Sequence, residues 1–184
     1  MVEVIFGLKY YCNFSNLTKP ENNMELQQIL IPEFQYEVTL TEKFIKRIPE
    51  DKMDWKPHPK SMTIRQLANH LAEIPQWVVA IMDREELDLT DYKAPDHKST
   101  DDIVKLLRNG ASTAEAALRK PDEAYEHIWK LRKGDHTLVE MPRLNVLRTL
   151  AFNQLPHHRA QLGVYFRLLD IPVPATYGPS ADEV

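Results

Sequence analysis

A chain of 184 residues, 43% hydrophobic and 27% charged, has the balance of a globular protein and fits one domain with a real core. Its formal net charge of −4 (27 acidic against 23 basic residues) and its lack of a basic stripe interleaved with aromatics argue against a nucleic-acid partner. A single cysteine, Cys12, excludes an intramolecular disulfide and a thiolate-rich metal site, and no apolar run approaches membrane-spanning length.

Residues 1–23 differ in character from the rest of the chain: a short aromatic piece, then the polar run "NFSNLTKPENN". They lack a basic n-region, and Lys9 breaks their apolar run, so no signal peptide is expected and a cytoplasmic location is the simplest reading. Two readings of them stand side by side: a disordered N-terminal extension, or a small segment packed on the domain. The domain itself is expected over residues 24–184.

Helical periodicity begins at Met24 and carries a first helix through residues 24–48, with Pro32 restarting or bending it. After the proline-punctuated loop "KPHPK", a second helix runs over 61–83, with Ser61 as N-cap and a kink at Pro75. The linker "LDLTDYKAPDH" is polar and crosses the end of the fold. A third helix, 99–120, has Ser99 or Thr100 as cap, acids in its first turn and bases in its last. Around "KGD", the stretch "HIWKLRKGDHTLVEM" suggests a small hairpin. A fourth helix spans Pro142 to Asp170, and the proline-rich "IPVPATYGPS" ends it. The expected fold class is all-α: a four-helix bundle with a long crossover connection and a small hairpin between helices three and four.

The fourth helix carries polar residues on its apolar face. At roughly 100° per residue, Leu144, Leu147, Ala151, Leu155, Leu162, Tyr165 and Leu169 define one stripe, with His158 near its centre. Gln154 lies about 40° and Gln161 about 60° from His158, whereas His157, about 100° away, leans towards water. On the second helix, Thr63, Leu67, His70, Ile74, Trp77 and Ile81 step by four and three, which puts His70 on the inward face. Two readings of these histidines stay open. They are hydrogen-bonded core residues, or His70, Gln154 and His158 hold one metal ion, with Gln154 and His158 as an i, i+4 pair.

Other features have simpler readings. His58, His97, His127 and His136 belong in or near loops and should be solvated. Glu37 suits either a salt bridge with a helical arginine or a supporting role behind the histidines, and Arg159 should pair with a carboxylate on a neighbouring helix. Trp77, Tyr165 and Phe166 serve as core or pocket lining, with core favoured. No Ser-His-Asp order, phosphate-cradling glycine loop or HExxH motif is present.

The segments "PEDKMDWKPHPKSMTIRQLANHLAEIPQW" and "MPRLNVLRTLAFNQLPHHRAQLGVYFRLLDIPVPATYGPSADE", in that order, resemble the DinB-like (YfiT-like) metal-dependent family. The resemblance covers roughly residues 25–183. It implies a four-helix bundle with a long crossover, often a homodimer, and a divalent metal, commonly nickel or zinc, held by three histidines. Relatives of that family include thiol-dependent S-transferases and a maleylpyruvate isomerase. The first family histidine matches His70 in "LANHLAEIP", and the last matches His158 in "NQLPHHRAQ". The middle ligand falls on Gln154, whose amide oxygen is a weaker ligand for a transition ion than imidazole, so the metal is expected to be held weakly or not at all.

Two functions follow as expectations. One is a metal-dependent enzyme of S-transferase or hydrolase type acting on a small molecule, such as a low-molecular-weight thiol, at His70, Gln154 and His158. The metal there would make a bound water or thiol nucleophilic. The other is a non-catalytic bundle that binds a small molecule or a protein and keeps a degenerate metal site. No catalytic residue is assigned beyond the three metal positions.

Overall fold

Helical periods dominate the observed architecture, as the sequence suggests. The structure, a computed structural model, describes residues 24–183, so both readings of residues 1–23 lie outside the described residues. Helix α1 runs Leu26–Lys46 and buries Leu30, Phe34, Leu40, Phe44 and Ile45 at helical spacing. Its first free N–H, on Leu26, donates to Asp122 Oδ1 at 2.9 Å. Pro32 sits inside α1, which continues through it.

Helix α2, Ile64–Asp83, starts at Thr63 rather than at Ser61. Thr63 Oγ1 accepts from Gln66 N (3.1 Å) while Gln66 Oε1 accepts from Thr63 N (2.9 Å). That reciprocal box satisfies two donors that Ser61 alone could not. Pro75 also lies within a continuous helix. Helix α3, Thr100–Ala117, is capped by Ser99 and ends before Arg119 and Lys120, so the expected basic last turn falls just outside it. It buries Ile103, Leu107, Ala111, Ala114 and Ala117, and Gly110 lets it approach α2 closely. A Cβ on Gly110 would come within 3.1 Å of Pro75 Cβ.

The all-α description needs correction. A three-stranded sheet is present, built from β1 (Glu86–Asp88), β2 (Ile128–Lys133) and β3 (His136–Pro142) in the order β1-β2-β3. β2 and β3 form the expected hairpin around Gly134, whose φ of 58° suits glycine. β1 was not foreseen. It is three residues long, too short to show a period, overlaps the supposed polar linker at Leu87 and Asp88, and is recruited by parallel pairing to β2. The sheet is pinned to α2 by Trp129, fully buried, whose Nε1 donates to Ala80 O at 3.2 Å. A short helix, α4 (Glu123–Glu126), precedes β2.

The fourth helix is also not the single rod expected. It divides into α5 (Arg143–Leu147), a π-turn over Arg148–Phe152, and α6 (Gln154–Leu168). In the wide turn, Asn153 N reaches back to Arg148 O at 3.0 Å. Pro156 supplies the cause: it has no N–H, and within an uninterrupted helix its ring would crowd the Phe152 carbonyl. Restarting the helix at Gln154 puts Pro156 in a first turn, where no N–H is required. The strict four-helix count therefore gives way to a mostly helical fold with a small sheet on one flank.

Helices α3 and α6 each pack against both α1 and α2, which scarcely touch each other. Leu67, Leu147, Leu155 and Leu162 are fully buried, with Ile74 almost so, at their shared centre. Arg159, 2% exposed, crosses from α6 to α1. Its Nη2 lies 2.7 Å from Glu37 Oε2 and 2.7 Å from the Tyr177 hydroxyl, and Nη1 donates to Glu37 O and Thr41 Oγ1, both at 3.3 Å. Tyr177 OH in turn donates to Glu37 Oε1 at 2.6 Å. Although close to the guanidinium, Glu37 Oε2 has no aligned hydrogen-bond donor, so its attraction to Arg159 is chiefly coulombic. Both expectations for this pair hold, because Glu37 and Arg159 form the interhelical salt bridge.

Leu162→Ala should lower unfolding free energy by about 2–5 kcal/mol in urea, the range for a buried leucine that leaves a cavity; a variant as stable as the parent would contradict this core. Glu37→Ala should cost about 3–5 kcal/mol because it strands a buried guanidinium, whereas combining Glu37→Met with Arg159→Leu should recover most of that loss. Equal destabilisation by the single and paired changes would show that the charge is not what matters.

Candidate functional site

α6 lies between α1 and α2, and consecutive residues on it point about 100° apart. With Arg159 fixed towards α1, His158 turns towards α2 and meets His70. Their rings stand edge to face with centroids 4.6 Å apart. His158 is half-buried, His70 is similarly sheltered, and His157 is exposed, as its wheel angle predicts. Two of the three metal positions expected from the sequence therefore come together.

Each ring is oriented by a neighbour. His158 Nδ1 lies 3.0 Å from Gln161 Oε1, an atom that only accepts, so Nδ1 carries the proton and Nε2 keeps its lone pair. Gln161 Nε2 in turn faces His157 Nε2 at 3.2 Å. His70 Nδ1 faces Glu73 Oε1 at 3.5 Å, longer than a normal hydrogen bond but close enough for a carboxylate to orient the ring. Burial pushes the His158 pKa down from its ordinary value, reinforced by the nearby His70 and His157 and opposed by the Gln161 hydrogen bond. A neutral imidazole with a free lone pair is the form that binds a metal or accepts a proton.

Gln154, the third position, is the first residue of α6. Its Nε2 donates to Thr149 O in the π-turn at 3.0 Å. That bond leaves Oε1, the ligating atom of a glutamine, with no protein donor among the described residues. Those residues also contain no group of three His, Cys, Asp or Glu side chains suited to a metal ion. Two imidazoles thus face each other, and the third expected position carries an amide oxygen, a weaker ligand than the imidazole of a three-histidine set.

Glu73 is the residue that sequence reasoning missed. It is buried on α2 and accepts from Trp77 Nε1 at 3.0 Å and from the Tyr92 hydroxyl at 2.5 Å. Burial alone would raise its pKa, but the nearby His70 and the hydrogen bonds from Tyr92 and Trp77 outweigh that and hold the carboxyl below its ordinary value. The signal was present in "HLAEIPQW", where a carboxylate falls three residues after an inward histidine and four before a tryptophan. Tyr92 could not be found this way, because it belongs to the linker and arrives through tertiary structure. Trp77, expected from its spacing to be core, is half-buried and lines a cavity of about 490 Å³ with His70, Gln66, Met62 and Tyr92.

These features define a mostly helical protein with an oriented histidine pair at the seam of two helices, whose His70 lines an aromatic-walled cavity. The chain belongs to the DinB family, whose pattern matches residues 22–184. Its fold resembles a DinB-like protein from Bacillus cereus (TM-score 0.62, 22% identity, 83% of this chain and 98% of that one). It also resembles a DinB-like protein from Bacillus subtilis (TM-score 0.61, 18% identity, 85% and 99%). A mycothiol-dependent maleylpyruvate isomerase shares the fold more distantly, with TM-score 0.50 and 11% identity over 86% of this chain and 64% of that one. No curated protein matches the sequence.

Glu73→Ala should destabilise the protein by about 1–3 kcal/mol, because it removes the acceptor for the half-buried Trp77 Nε1 and for the Tyr92 hydroxyl. Glu73→Gln should recover part of the loss, since an amide oxygen still accepts. Urea unfolding of both variants checks this, and an alanine variant as stable as the parent would remove Glu73 from any orienting role.

Proposed function

We propose that this chain is an enzyme acting on a small molecule, of transferase or hydrolase type, working at His70 and His158. The observation that carries the reading is the pair of half-buried imidazoles at 4.6 Å, each with Nδ1 facing a neighbouring side chain, and with His70 lining the cavity of about 490 Å³. A protein that merely filled its core would not need two facing imidazoles with free lone pairs. The chain's own groups have separate tasks. With no ion bound, neutral His158 accepts a proton at Nε2 from a thiol or water, Gln161 holds its tautomer, and Glu73 orients His70. Trp77 and Tyr92 exclude water from one wall. A low-molecular-weight thiol is the favoured substrate class, in keeping with the thiol-dependent relative of shared fold.

A nickel or zinc ion would be held here by His70, His158 and, more weakly, the amide oxygen of Gln154. When bound it would supply Lewis acidity and lower the pKa of a coordinated water or thiol. A second reading, a binding bundle without catalysis, draws on the Gln154 amide being engaged with Thr149 O. A homodimer, implied by the family resemblance, is proposed as the working assembly.

Metal titration by calorimetry, on tag-free protein, separates the two readings. Gln154→His should tighten zinc or nickel binding by roughly tenfold or more, because imidazole replaces an amide oxygen one turn before His158. His158→Ala should abolish binding in both backgrounds, and His157→Ala should change little. If Gln154→His binds no better than the parent, the missing-ligand account fails; parent protein that binds no metal and turns over no thiol favours the binding bundle.

A further inference from the structure

The wall formed by Trp77 and Tyr92 has a second side. Beyond it, between α2, α3 and residues 84–95, lies a larger cavity of about 620 Å³, well within the range of small-molecule sites. Its composition differs from that of the histidine cavity. The floor is aromatic and aliphatic, made by Trp77, Tyr92, Leu87 and Val79. The Trp77 and Tyr92 rings meet edge to face at 6.1 Å, and their polar atoms are already committed to Glu73. What they offer the cavity is therefore ring surface. Glu73 is the only acid in the lining, and its carboxylate is buried and taken up by those two donors and His70.

At the rim stand two cations, Arg84 and Lys93. Neither side chain forms an ion pair with a carboxylate among the described residues, whereas Lys120 pairs with Asp83 and Arg132 with Glu86. Asn109, on α3, adds an amide whose side chain is likewise unengaged among the described residues. Gly110 keeps the α3 wall free of side chain and close to Pro75.

We propose that this cavity is a binding site for a small organic anion with a flat apolar body, the body stacked against Trp77 and Tyr92 and a carboxylate held between Arg84 and Lys93. Aromatic surface selects a planar group, and two rim cations without partners select negative charge by charge-assisted hydrogen bonds. The site is separate from the histidine pair and does not depend on a metal, so it stands or falls independently of the proposed reaction.

The test uses the full chain in EDTA, with 2-naphthoate, its neutral analogue 2-naphthalenemethanol, and inorganic phosphate as probes. Naphthoate should bind one to one, and the alcohol and phosphate about tenfold or more weakly, because each lacks one of the two recognised features. The paired change Arg84→Gln, Lys93→Gln, on exposed side chains, should weaken naphthoate by about tenfold or more and leave the alcohol unchanged and the unfolding temperature at the parent value. In NMR spectra, the amide signals of Asn109 and Gly110 should move on titration while the His158 ring signals stay in place. No naphthoate binding, equal binding of acid and alcohol, or insensitivity to the paired change would each overturn the proposal. Shifts confined to the His70 and His158 rings would overturn it too, by placing the anion in the neighbouring cavity.

Discussion

The Arg159 guanidinium, buried between α6, α1 and the C-terminal tail, is the constraint on which the rest of the arrangement depends. A desolvated charge tolerates few positions, and this one is met by the Glu37 carboxylate, the Thr41 hydroxyl and the Tyr177 hydroxyl together. Meeting those partners sets the rotation of α6 about its axis. Since His158 is the preceding residue, the same rotation turns it towards α2 and His70. The tail is drawn into this cluster and then fastened by Asp182 on Arg167 and Glu183 on Arg47 and Lys43, so it closes over one side of α6. The structural and functional faces of α6 are thus one helical step apart.

The π-turn serves the same end from the other direction. A proline within a helix removes one bond of the ladder, and here the ladder widens just before Pro156. The freed Thr149 carbonyl accepts from Gln154, so the irregular backbone is satisfied by the side chain that stands at the third metal position. The departure from three histidines is thus tied to the local backbone: the residue there donates to the turn through Nε2, and its amide oxygen has no protein donor among the described residues. A histidine at this position would keep a donor on one ring nitrogen while presenting the other.

Glu73 joins the two halves of the candidate site. From one position on α2 it faces His70, receives Trp77 and reaches the linker through Tyr92. The linker is thereby held against α2, which builds the partition between the histidine cavity and the one flanked by Arg84 and Lys93. A polar segment that looks merely solvated in sequence becomes a wall because a buried carboxylate needs its hydroxyl.

What the sequence determined by itself was whatever repeats with the helical period. The stripe through Leu147, Leu155 and Leu162, the inward turn of His70 and His158 and the outward turn of His157 all follow from 100° steps, because burial of an apolar stripe fixes which face is inside. The sequence called for a helical arginine beside Glu37 and a carboxylate beside Arg159, and the fold shows that each answers the other. Tertiary structure alone decided the features with no local period. β1 exists only because β2 offers it an edge, and the π-turn follows from a conflict between Pro156 and the packing on either side of it. Tyr92 reaches Glu73 across the fold, and that Arg84 and Lys93 meet no carboxylate among the described residues depends on how those residues pack. Those are contacts between residues far apart in sequence, and no local spacing encodes them.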